Sequence, residues 1–171
     1  GRFKHENAAV SLSEKGHVVV YMGDDEQGEF LYRFISKERY HPSQDNSDLL
    51  EEGSLYVAKF HDDMRGEWIE LTPQTTGMIS QAEICIHTRQ AASAVEATTM
   101  DRPEWIATNP NKVEAYCCLT NNNNRGKAPN AGGDETPVNG PNPRIDNKYG
   151  QIVRWIPVNY DHTNTEFNWD L

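Results

Sequence analysis

One arrangement of residues occurs twice in this chain and constrains its fold more than composition does. Glu6-Asn7-Ala8-Ala9-Val10 leads through a turn into HVVVYMGDD and then into a Gly-led segment, GEFLYRFI. Glu104-Trp105-Ile106-Ala107-Thr108 leads through a turn into VEAYCCLTNN and then into GQIVRWIP. The two units lie 98 residues apart (104 − 6). Residues 17–22, 30–35, 104–108, 113–120 and 151–157 are rich in β-branched and aromatic side chains, the residue types that suit a pleated surface. Residues 54–60 alternate in polarity, 62–66 read as a turn, and 67–71 return. Short turns join antiparallel neighbours. The expected class is mainly β with an inserted helix: about two blades of a β-propeller-like fold, built from antiparallel sheets. Propellers close with about 4–8 blades. The chain also opens at Gly1 without Met, so a piece of a larger protein is expected. A mixed α+β domain with an accidental echo is the plainer alternative.

Between the units the pattern changes. Met78, Ala82, Cys85, Ile86 and Ala92 recur at helical spacing and predict an amphipathic helix over 78–95. The expected organisation is a blade-like sheet over 1–77, a helical insert over 78–100, and a second blade-like sheet over 101–171 with a long loop at 121–149. A loop of that length tends to be functional or disordered.

The formal net charge of −10 argues against a nucleic-acid partner, which needs a Lys/Arg surface. No stretch approaches the ~20 apolar residues of a membrane span. Cys85, Cys117 and Cys118 are an odd count, which excludes a complete internal disulfide framework. Adjacent strand residues point to opposite faces, so Cys117 and Cys118 chelate poorly. Core or half-buried thiols are expected.

Candidate chemistry gathers in a few places. Asp101-Arg102-Pro103-Glu104-Trp105 is the sharpest. Pro103 restricts the residue before it, which predicts an extended Arg102 with Glu104 on the same face. A guanidinium can grip phosphate while a neighbouring carboxylate holds a cation, although a strand-entry salt bridge uses the same residues. Glu6 and Glu104, at corresponding positions, would face one cavity if both strands lined it, and paired carboxylates invite a hard cation. Asp24 and Asp25, in an acidic Gly-bounded turn, serve either as calcium oxygens or as an ordinary hairpin tip. His5 fits a metal ligand or a structural hydrogen bond, and Asn121 to Asn124 fit ligand oxygens or turns. HExxH, paired CxxC, P-loop, GxSxG and GxGxxG patterns are absent.

GRFKHENA, VVVYMGDD, FLYRFIS, GSLYVAKF, GEWIEL, HTRQAASAVEAT, MDRPEWIA, LTNNNNRG and YGQIVRW occur in this order. Together they resemble the middle portion of PhoX-type alkaline phosphatases, over nearly the whole chain. The resemblance implies a β-propeller that hydrolyses phosphomonoesters, is exported to the periplasm or beyond, and uses calcium and iron at its mouth. It implies that Arg102 contacts substrate phosphate and that Glu104 and Glu6 are metal ligands. Asp24 and Asp25 are expected near the metal region. It also implies ligands outside these residues, including a cysteine thiolate that none of the three cysteines here represents. The expected partner is the remainder of a longer chain, and the 171-residue piece is expected to be inactive alone. The rival reading is a non-catalytic, calcium-binding propeller module for protein interaction.

Overall fold

The computed structural model describes all 171 residues. The first meander comprises β1 (His5–Leu12), β2 (His17–Asp24), β3 (Leu31–Arg39), β4 (Gly53–Phe60) and β5 (Arg65–Glu70). Helices α1 (Pro73–Thr76), α2 (Gln81–Ile86) and α3 (Thr88–Ala94) follow. The second meander comprises β6 (Pro103–Thr108), β7 (Ala115–Leu119), β8 (Gln151–Pro157) and β9 (Glu166–Asp170).

The mainly antiparallel β class expected from the sequence is the class found. The two strand groups are also hydrogen-bonded to each other: β9 pairs antiparallel with β5 through Arg65↔Asn168 and Gly66↔Phe167. The result is one nine-stranded sheet in the order β1-β2-β3-β4-β5-β9-β8-β7-β6. It curls until β6 lies beside β1, forming a nearly closed barrel. Eight successive antiparallel pairings leave β1 and β6 running the same way. Asn7 bridges this seam. Its side-chain amide donates to the Ile106 carbonyl at 2.8 Å and accepts from the Ile106 N–H at 2.8 Å.

The hydrophobic run of β2 follows from burial on both faces. Val19 and Tyr21 point into the barrel with Leu31, Trp68, Ile106, Cys117, Val153 and Trp155. Val18, Val20 and Met22 point outward, where Ile84, Ala91 and Ala92 cover them. The helices cover only this side, and Trp105 of β6 and Ile152 of β8 stay exposed.

The single helix expected over 78–95 is replaced by α2 and α3. They meet at His87, whose φ −108° and ψ 44° are not helical. Thr72 and Ser80 cap α1 and α2 by accepting backbone N–H bonds from Thr75 and Glu83. Cys117 is buried, Cys85 and Cys118 are half-buried, and all three are free thiols.

Candidate active-site end of the barrel

The starts of β1, β3, β6 and β8 and the ends of β2 and β7 lie at one end of the barrel. The acidic turn after β2 packs there against residues 98–104. Gly23 makes the approach possible, because a Cβ at that position would sit 2.6 Å from the Pro103 carbonyl oxygen. Gly28 N–H donates to the Met100 carbonyl and Met100 N–H to the Glu29 carbonyl, each at 2.9 Å. The turn is therefore fixed to the segment that carries Arg102.

Asp24, Asp25 and Glu26 each meet a different base. Asp24 is fully buried and receives Arg89 Nε and Nη2, one on each oxygen, both at 2.6 Å. Asp25 Oδ1 accepts from Arg102 Nε at 2.7 Å. Glu26 pairs with Lys4, and this hydrogen bond holds the Glu26 carboxyl below its ordinary range. Glu29 is 2% exposed, and its Oε2 accepts no hydrogen bond although Arg89 Nε lies 3.4 Å away. Burial pushes its pKa up to about 7, against the opposing pull of Arg89.

Arg102 departs from the extended shape that the following proline predicts: its φ is +59°. Left-handed backbone in a non-glycine residue costs of order 1–3 kcal/mol and persists where the surroundings impose it. Those surroundings are identifiable. The Arg102 N–H donates to the Met100 carbonyl at 3.0 Å, and its own carbonyl accepts from Thr120 N–H at 3.3 Å. Arg102 and Glu104 do converge, with Nε 3.6 Å from Oε1, but the left-handed bend rather than strand alternation brings this about. Thr120 Oγ1 donates to Glu104 Oε1 at 2.7 Å. Neither terminal nitrogen of Arg102 is bonded within the chain, and the Asp25 hydrogen bond raises the pKa of the guanidinium.

Glu6, at the start of β1, is exposed and makes no ion pair. The register that Asn7 sets with Ile106 places Glu6 and Glu104 on the two strands flanking the seam. His5 stacks on Phe3 with centroids 3.8 Å apart and bonds the Gly1 carbonyl. No group of three or more His, Cys, Asp or Glu side chains is arranged to hold a metal ion.

Sequence reasoning assigned no role to the network beneath Arg102. Asp101 and Arg125 are both fully buried, with Arg125 Nε donating to Asp101 Oδ1 at 2.6 Å. Asn147 donates to Asp101 Oδ2 at 2.8 Å, and Arg125 donates to Thr99 and to the Pro137 carbonyl. Asn142 Oδ1 accepts the Asp101 N–H at 3.0 Å. The long loop is thus ordered by polar side chains rather than by a core. Asp101 opens the sharpest sequence motif, but nothing in the local sequence marks Arg125 as its partner.

This arrangement sits in a chain of alkaline phosphatase type. The family model for alkaline phosphatase PhoX matches residues 1–171, and the chain belongs to that family. Its fold is similar to a solved structure of Pseudomonas fluorescens PhoX in complex with vanadate, a transition state analogue, with a TM-score of 0.91 and 48% identity. The match covers 99% of this chain and 31% of the relative, so the chain spans about a third of that relative's length. No curated protein matches the chain. No helix is long and apolar enough to cross a membrane.

Proposed function

We propose that this chain supplies part of the active centre of an exported, metal-dependent phosphomonoesterase whose remaining residues lie outside these 171. Arg102 carries the reading. Its strained backbone is fixed by Met100 and Thr120, its Nε is fixed by Asp25, and its terminal nitrogens are unbonded. A half-buried guanidinium with its planar fork unbonded suits a phosphate oxygen. Neutralising charge that develops during phosphoryl transfer is the chemistry it offers.

Glu6 and Glu104 are the proposed metal ligands. Two carboxylates are too few for a complete coordination shell, so the residues here do not fit calcium or iron unaided. Such cations need donors from the rest of a longer chain. Both Asp24 oxygens accept from Arg89, so that carboxylate meets a cation already inside the protein. The substrate class is a phosphomonoester, and the setting is the periplasm or the exterior.

The test is hydrolysis of a chromogenic phosphomonoester by the full-length protein. Arg102→Ala removes a charge-assisted contact, which should lower kcat/KM about 10- to 200-fold. Unchanged kinetics would remove Arg102 from the reading. No hydrolysis by folded, metal-loaded protein would favour a calcium-binding interaction module.

A further inference from the structure

We propose that Asp25 is the positioning residue for Arg102, holding the guanidinium by Nε with its terminal fork free. This rests on the reading of Arg102 as the phosphate contact.

A guanidinium offers two pairs of donors: the side edge of Nε and one terminal nitrogen, and the end formed by both terminal nitrogens. Arg89 spends its side edge on Asp24, and Arg154 spends its own on Asp170. In both, the bidentate pair commits one terminal nitrogen as well as Nε. Arg102 gives only Nε, to Asp25, and keeps both terminal nitrogens. A single carboxylate oxygen on Nε anchors the group and leaves the end-on fork unbonded.

Asp25 is itself held. Its N–H donates to the Lys4 carbonyl at 2.8 Å, and its neighbours Asp24 and Glu26 are paired with Arg89 and Lys4. The turn is bonded to Met100, two residues before Arg102, so donor and acceptor rest on one frame. Asp25 also has a competitor. Glu104 Oε1 lies 3.6 Å from the same Nε. Without Asp25, the guanidinium would turn onto Glu104 and engage both proposed functional groups in a closed ion pair. A carboxylate at position 25 thus takes the Nε hydrogen bond and leaves Glu104 only the longer 3.6 Å contact with that nitrogen.

In the full-length protein, Asp25→Ala should lower kcat/KM on a chromogenic phosphomonoester about 10- to 100-fold, the usual cost of a misplaced catalytic contact. Inhibition by inorganic phosphate should weaken by a similar factor. Asp25→Asn, which keeps an acceptor for Nε, should recover most of the activity. In an Arg102→Ala background, Asp25→Ala should cost nothing further, because its effect passes through the arginine. An equal loss with and without Arg102, or a loss of bound metal from Asp25→Ala at an unchanged melting temperature, would overturn the inference. If Arg102→Ala alone leaves kinetics unchanged, the fault lies with the reading of Arg102, and the link from Asp25 falls with it.

Discussion

At the candidate active-site end, Arg125 is buried against Asp101. Towards the other end, Arg33 is buried against no carboxylate. Its Nη1 donates to the carbonyls of His162 and Asn164 at 2.8 and 2.6 Å. The rings of Tyr56 and Trp68 lie 4.7 and 4.8 Å from its central carbon. Nε and Nη2 donate to no protein atom, and burial lowers the Arg33 pKa to about 10. One end therefore stabilises a buried cation by charge, the other by carbonyl dipoles and ring faces. The charge-paired end also fixes a long loop and the backbone of Arg102. The dipole-paired end fixes one short turn.

The largest test of that contrast is Asp101→Ala. It strands the Arg125 guanidinium in the interior and should cost about 3–5 kcal/mol in urea denaturation. Amide exchange in 121–149 should accelerate with it. A loss below about 1 kcal/mol would mean that the loop does not depend on the ion pair.

The second test is pH. The Glu29 carboxyl titrates near 4.5 when unfolded and near 7 in the fold. Below the lower value both states are protonated and no penalty exists. Between the two, the folded state binds the extra proton, so stability falls as pH rises and then levels off. The full difference is on the order of 3 kcal/mol. Glu29→Gln should flatten this slope in denaturation curves taken across that range.

His162 should show the opposite sign at the other end. Burial, with Arg33 nearby, lowers its pKa from 6.5, and Tyr21 Oη lies 3.0 Å from its Nδ1. The unfolded state protonates first as pH falls, so this end loses stability below 6.5. His162→Gln should remove that acid-side loss.

The smallest effect is expected for Arg33→Met. Two carbonyls lose their donor, but an unpaired buried charge is also removed, so stability should change by no more than about 1–2 kcal/mol. A loss matching that of Asp101→Ala would erase the contrast between the ends.

The strands were legible because their burial writes itself into the sequence as alternation, or, in β2, as a continuous apolar run. Phe167 and Trp169 of β9 alternate in the same way, but five residues flanked by polar positions gave too little signal. Helical periodicity located the insert and missed its break, because His87 breaks the helix through its dihedral angles rather than its polarity. The proximity of Arg102 and Glu104 was legible from their spacing. The left-handed turn that produces it was not, since tertiary hydrogen bonds overrule the local preference before proline. Arg125 finds Asp101 only after the loop has folded back, and no local pattern encodes that pairing.

The pairing of β5 with β9 bears on how the chain reaches this state. Every other ladder joins sequence neighbours, whereas Glu67 meets Glu166 across 99 residues (166 − 67). A search of that span raises contact order and slows folding. Until β9 docks on β5, β5 and β9 each present an open edge to other chains. Assembly competes with intermolecular strand pairing during that interval, so the yield of folded protein should fall with concentration during refolding.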